Sequence, residues 1–239
     1  MIVSILFGVH SLFGQNTEGI DTEKLDKYME KALEEWRIPG MAIAVVQGDS
    51  IAFAKGYGIK EYGKPGKVDS KTLFAIASNT KAFTASALSI LVDQGKLNWD
   101  DKVIDHLEWF KMYDPYVTEN MTVRDLLCHR SGLKTFSGDL LWYETDYSRR
   151  EVIERARYLE PVYGFREHFG YSNIMFAAAG EIIPEITGMS WEDYIRKNFF
   201  TPLDMESSLL AVSELKGEKN VAIPHSSDDD GTPVPISYM

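Results

Sequence analysis

Leu73-Phe74-Ala75-Ile76-Ala77-Ser78-Asn79-Thr80-Lys81 is the stretch on which the reading of this chain turns. Its first five residues are apolar and β-prone, which predicts a short strand. The residues after Ser78 read as a helix from Ala82 to Gln94, with Gly95 placed to end it. A serine hydroxyl is a weak nucleophile without a neighbouring base. A spacing of three puts Lys81 one helical turn above Ser78 on the same face. A lysine withdrawn from water there is able to accept the serine proton. The start of the helix adds backbone N–H groups and a positive dipole end suited to an oxyanion. The competing reading is a serine that caps a helix beside an exposed lysine.

Ser-x-x-Lys occurs three times, at Ser78–Lys81, Ser131–Lys134 and Ser213–Lys216. Gly132 directly after Ser131 argues against a helix start there. Ser213–Lys216 lies in a charged stretch ended by Gly217 and reads as a solvated turn. Only Ser78 stands between an apolar run and a long helix rich in small residues.

The 239 residues are 44% hydrophobic and 12% aromatic, enough for a sizeable core. A formal net charge of −11 argues against a protein that tracks nucleic-acid phosphates. The single cysteine, Cys128, excludes an intrachain disulfide and a multi-cysteine metal cluster. Its place in Leu126-Leu127-Cys128 predicts a small buried hydrophobe. The five histidines are scattered without paired-ligand spacing, so neither a metal nor a cofactor is expected. Residues 1–15 are apolar and small, resembling a secretory leader that is clipped or mis-started, because the first cation is Lys24. A periplasmic or secreted location is expected on that ground. No later run is long and apolar enough to span a membrane.

Leu25, Tyr28, Met29, Ala32, Leu33 and Trp36 recur at three and four, predicting an amphipathic helix over Asp21–Trp36. Met41–Val46 and Ser50–Tyr57 read as antiparallel strands around Gly48. Thr122–Asp125 and Ser190–Asp193 are capping boxes opening short helices. Tyr147–Tyr158 and Asn173–Ile186 read as helices, the latter kinked or shortened by Pro184. Ser226–Gly231 reads as an acidic surface loop. The order predicts an α+β protein with a helical lobe inserted after the first strands. Its parts are expected at 16–97, the start of the sheet domain with the Ser78 helix; 98–205, the helical lobe; and 206–239, a return segment toward further strands.

Gly170-Tyr171-Ser172-Asn173 contains the only Tyr-x-Asn of the chain. A tyrosine beside a cationic lysine has its pKa lowered and is able to relay a proton. An asparagine amide is able both to orient that lysine and to hold a substrate carbonyl. The alternatives are a half-buried aromatic at Tyr171 and a helix cap at Asn173.

Ser-x-x-Lys followed by Tyr-x-Asn resembles the serine β-lactamase and penicillin-binding-protein family, and the tyrosine points to its class C branch. Leu126–Leu133, Tyr171–Gly180, Ile186–Ser190 and Phe200–Met205 resemble further segments of that family. The resemblance spans roughly residues 22–239. It implies a β-lactamase/transpeptidase-like fold: an antiparallel sheet flanked by helices, with an all-helical lobe. It implies a serine hydrolase acting through an acyl-enzyme on a β-lactam, a D-Ala-D-Ala-type peptide or an ester. Ser78 would be acylated, and Lys81 would accept its proton or tune Tyr171. Tyr171 would relay the proton and activate water, and Asn173 would hold Lys81 and the substrate amide.

The family's third motif, Lys or His, then Thr or Ser, then Gly, has no match after Asn173. Arg130-Ser131-Gly132 precedes Tyr171, and His225-Ser226-Ser227 lacks the glycine. The expectation is therefore a chain shortened by roughly a hundred or more C-terminal residues, with an incomplete sheet and weak activity. The alternative function is a non-catalytic penicillin sensor or pseudo-enzyme that recognises peptidoglycan peptides. A Ser-His-Asp hydrolase is disfavoured, since Gly-x-Ser-x-Gly is absent. His129 is expected to bond loop backbone, and His168 to be a plain loop residue. Trp142, Tyr143 and Tyr147 either flank the cleft or, more commonly for such aromatics, fill the core.

Overall fold

Residues 19–143 and 145–238 are described by the structure, a computed structural model. The leader expected over residues 1–15 lies outside them. Helix α1 spans Thr22–Glu35, followed by strands β1, Gly40–Gln47, and β2, Ser50–Gly58. Helices α2, Thr80–Asp93; α3, Val103–His106; α4, Pro115–Asn120; α5, Val123–Leu127; and α6, Arg149–Glu154, come next. Helices α7, Asn173–Thr187, and α8, Trp191–Ile195, precede a short hairpin of β3, His225–Ser227, and β4, Pro233–Pro235.

The described residues fall into two compact units. One comprises 19–72 and His225–Pro235, and the other Leu73–Pro224 with 236–238. The compositional change near Leu97 lies inside the second unit, which also contains the Ser78 helix.

In the first unit β1 and β2 pair antiparallel from Gly40 opposite Gly58 to Gln47 opposite Ser50. The register shifts between Val45 and Val46, and Gly48 in the turn has a φ of 59°. Helix α1 is amphipathic as its spacing predicts, with Asp21 capping it by accepting from the Lys24 N–H. Its apolar face is only half covered, and Trp36 is 77% exposed. Lys55 and Tyr57 on β2 both donate to Asp26, tying α1 to the ribbon. Of the segment expected as an acidic surface loop, Ser226–Gly231, Ser226 and Ser227 lie on β3 and the rest forms the acidic turn of the hairpin, where Asp228 accepts the N–H groups of Asp230 and Thr232.

The second unit holds the main core. Ala87, Leu88 and Leu91 of α2 meet Ala178, Ala179, Ile182 and Ile183 of α7, with Val123 and Leu126 of α5, Ile153 of α6 and Ile195 of α8 around them. Alanines at the α2 and α7 positions let two backbones approach closely, so α7 has little room for larger side chains. Across this core the Trp191 indole N–H donates to Thr84 Oγ1 at 3.2 Å, so neither buried polar group is left unpaired.

Three expectations are corrected here. Leu73–Ala77 is not a strand: only Leu73 bridges, to Val221, while Phe74 and Ile76 face solvent. No described strand runs beside them to take up their backbone groups, and Asn79 N–H folds back to the Ile76 carbonyl instead. Pro184 does not shorten α7, which continues to Thr187. Its last turn is closed by the Gly188 N–H on the Pro184 carbonyl, with Gly188 left-handed at φ 68°. Cys128 is exposed rather than buried, because it caps the end of α5, where the apolar stripe has already turned away.

The capping box expected at Thr122 forms with both reciprocal bonds. At Ser190 only the serine half forms, its side chain accepting the Asp193 N–H, while Ser148 makes a full box with Glu151. Asp125 does more than cap. It is 2% exposed and takes a two-pronged ion pair from Arg166, Nε to Oδ1 at 3.0 Å and Nη2 to Oδ2 at 2.6 Å. Burial pushes its pKa up, but the Arg166 and Thr122 hydrogen bonds outweigh that and hold it below the usual carboxylate range. Its stabilising contribution is therefore complete above the unfolded carboxylate value near 4 and is lost as pH falls below it. Asp125→Ala is expected to cost about 3 kcal/mol, the low end for breaking a buried pair, since Arg166 reaches solvent. Urea unfolding at pH 7 and pH 3 checks this: the difference between wild type and variant should shrink at the lower pH.

Candidate active site

Ser78 lies in the tight turn Ala77–Asn79 that leads into α2. Residues three apart eclipse one another in such a turn, which aligns Ser78 with Lys81. Ala77 enters the turn with a positive φ of 43°, a conformation that costs an L-residue about 1–3 kcal/mol and concentrates at functional positions. The Lys81 amino group donates to Ser78 Oγ at 3.3 Å and to Asn173 Oδ1 at 2.5 Å. It also lies over the rings of Tyr171, at 4.8 Å, and Phe176, at 5.4 Å. The Tyr171 hydroxyl donates to Ser78 Oγ at 2.6 Å. All four expected site residues are thus brought together.

Asn173 is not a helix cap. Ser172 takes that place by accepting from the Met175 N–H, which leaves the Asn173 amide free to bond sideways from the first turn of α7. Burial opposes ionisation of Tyr171, but hydrogen bonding with Lys81 and Ser78 and the charge of Lys81 outweigh it. The phenol therefore lies below its ordinary value, though a negative charge at Asp139 works against this.

The backbone around Tyr171 is held by the loop that begins at His129. Ser172 N–H donates to His129 Nδ1 at 3.1 Å, and Gly170 N–H to the His129 carbonyl at 2.8 Å. The His129 ring stacks on Tyr171 with centroids 4.5 Å apart. Accepting a backbone N–H requires an unprotonated Nδ1. Desolvation and the Lys81 charge both hold the imidazole pKa low, which keeps it in that state. The structural role expected for His129 is what the geometry shows. A Cβ at Gly170 would run into the Leu133 carbonyl, so glycine is needed where the two segments touch. His168 is an exposed loop residue packed on Tyr163.

A cavity of about 570 Å³ opens beside Ser78 and Lys81. Trp142, Tyr147, Phe176 and Trp191 supply its aromatic lining, with Arg149 and Glu192 at its wall. Trp142 and Tyr147 therefore flank the cleft rather than fill the core, and both are partly open to solvent. Sequence reasoning missed Asp139, which accepts from Asn173 Nδ2 at 2.9 Å. It also missed Phe176, one helical turn beyond Asn173, a spacing that marks the shared face.

The family model for beta-lactamase matches residues 25–238. This chain belongs to the beta-lactamase family. An unguisins hydrolase of Aspergillus campestris is 34% identical over 221 residues, covering 87% of this chain and 41% of that protein. The octameric penicillin-binding protein homologue of Pyrococcus abyssi superposes with a TM-score of 0.78 at 29% identity, covering 91% of this chain and 51% of the other. A class C beta-lactamase superposes at 0.71 with 23% identity over 91% of this chain and 57% of its own, a likeness of fold. The chain thus spans about two fifths to three fifths of these relatives' lengths.

Tyr171 should titrate below the ordinary tyrosine value near 10. Lys81→Met removes the two influences of the lysine that lower it and should move the transition upward. NMR of ¹³C-ζ-tyrosine, assigned with Tyr171→Phe, measures both.

Proposed function

We propose that this chain carries the acylation machinery of a serine hydrolase acting on β-lactam, D-Ala-D-Ala-type peptide or ester substrates. The convergence of the Lys81 amino group and the Tyr171 hydroxyl on Ser78 Oγ, at 3.3 and 2.6 Å, carries this reading. Both lie within reach of a proton leaving the serine. Membership of a family whose relatives include a hydrolase supports it.

In this reading Ser78 Oγ attacks the substrate carbonyl carbon, and its proton passes to the Lys81–Tyr171 pair. The Ser78 backbone N–H, in the turn that leads into α2, donates to the developing oxyanion. The C–N or C–O bond then breaks, and Tyr171 returns the proton to the leaving group. Water, deprotonated by the same tyrosine, attacks the acyl carbon and releases the acid, restoring the serine hydroxyl. Asn173 holds Lys81 in place, and the aromatic cavity beside Ser78 receives the apolar part of the substrate. A periplasmic or secreted location suits such substrates and is part of the proposal.

Incubation with a fluorophosphonate and with fluorescent penicillin, followed by intact mass and peptide mapping, tests the reading. One adduct on Ser78 is expected, abolished in Ser78→Ala and slowed by about 10²–10⁴-fold in Lys81→Ala, the usual worth of a positioned base. Labelling that persists in Ser78→Ala would remove the proposal. An adduct that forms and never clears would favour the penicillin-sensor alternative.

A further inference from the structure

Asp139 occupies a place that stability does not explain. It opens the turn Asp139–Leu141, directly after Gly138 at φ 82°. That left-handed φ strains any L side chain, and a Cβ at Gly138 would also press on the Cδ1 atoms of Ile174 and Leu159, so glycine suits the place where the loop closes onto α7. The Phe136 N–H donates to the Tyr171 carbonyl at 2.9 Å, and the Asp139 N–H to the Phe136 carbonyl at 3.2 Å. This short chain of bonds delivers the carboxylate to Asn173. Oδ2 then accepts from Asn173 Nδ2 at 2.9 Å. Oδ1 is buried with no hydrogen-bond partner among the described residues. A buried carboxylate oxygen without a partner is destabilising, so its retention points to the neighbour that it serves.

That neighbour has two possible orientations. An amide turned one way puts its oxygen toward Lys81 and its N–H₂ toward Asp139. Turned the other way, it sets N–H₂ against the donating lysine and oxygen against the carboxylate, and both contacts fail. With an apolar residue at 139, nothing on that side would select between them. We propose that Asp139 is a positioning residue, which locks the Asn173 amide with its oxygen on Lys81 and so keeps the lysine beside Ser78. One Asn173 N–H remains for a substrate acceptor. The inference rests on the acyl-enzyme reading for its consequence, though not for its geometry.

Burial raises the Asp139 pKa above the usual range, and the Asn173 hydrogen bond and the Lys81 charge only partly offset this. Both facts agree with a group kept at a cost to stability, as at many functional positions.

The test measures the rate of fluorophosphonate labelling at Ser78 in the 239-residue chain, alongside its melting temperature. Asp139→Ala should slow labelling by roughly 10- to 100-fold, the scale of a misplaced catalytic group, with an unchanged or higher melting temperature. Asp139→Asn still offers a carbonyl oxygen to Asn173 and should stay within about threefold of wild type, since a neutral acceptor is weaker but present. Asn173→Asp should be slow, and combining it with Asp139→Asn should recover part of the rate, because an amide at 139 then donates to a carboxylate at 173, while the N–H lost at 173 stays lost. Unchanged labelling in Asp139→Ala would overturn the inference. So would a melting temperature that falls in step with the rate, or no rescue by Asp139→Asn. If wild type itself is not labelled, the acyl-enzyme reading fails separately, and ¹⁵N-asparagine NMR decides the positioning role. A downfield Asn173 side-chain proton lost in Asp139→Ala supports it, and an unmoved one overturns it.

Discussion

The second unit is organised around one contact: the Lys81 amino group held between Ser78 on the turn before α2 and Asn173 at the start of α7. Hydrogen bonds tolerate only a few tenths of an ångström. Two helix starts must therefore be fixed relative to each other with that accuracy. The core does this. Alanines on both helices bring their axes close, and the Trp191–Thr84 bond pins α8 to the same α2 face. Close-packed interiors resist deformation, so the position of the lysine is inherited from the packing beneath it.

A second layer of constraint acts on Tyr171. The His129 ring, its carbonyl, Gly170 and Phe136 hold the tyrosine backbone from several sides. The Asp125–Arg166 pair supports the same region from below, since the Arg166 N–H donates to the Arg130 carbonyl in the loop that leads from His129. Electrostatics reinforces the geometry. The charge of Lys81 disfavours protonation of His129 and favours ionisation of Tyr171. One cation thus keeps the structural ring neutral and the hydroxyl acidic. The negative charge of Asp139 acts in the opposite sense on Tyr171, disfavouring its ionisation.

The site was more legible in the sequence than the fold around it. Ser78, Lys81, Tyr171 and Asn173 were marked by spacing and motif, and the caps at Thr122, Ser148 and Ser190 by residue type. Asp139 carried no such mark: one aspartate in a loop has no periodicity, and its meaning comes from an amide 34 residues away. Leu73–Ala77 misled for the reverse reason. Its composition suits a strand, but a strand exists only where a neighbour accepts its hydrogen bonds, and composition does not report neighbours. Cys128 misled likewise, because apolar character alone does not say which side of an element meets the core.

The sequence by itself determined the local frames and the chemical groups. Helix caps, left-handed glycines and the Ser78–Lys81 spacing act over four residues or fewer, so they are written into neighbouring positions. Tertiary structure alone decided the rest: the 92-residue separation closed between Lys81 and Asn173, the exposure of the Leu73–Ala77 run and the orientation imposed on the asparagine amide. Those depend on which surfaces pack together, a property of the whole core and not of any window along the chain.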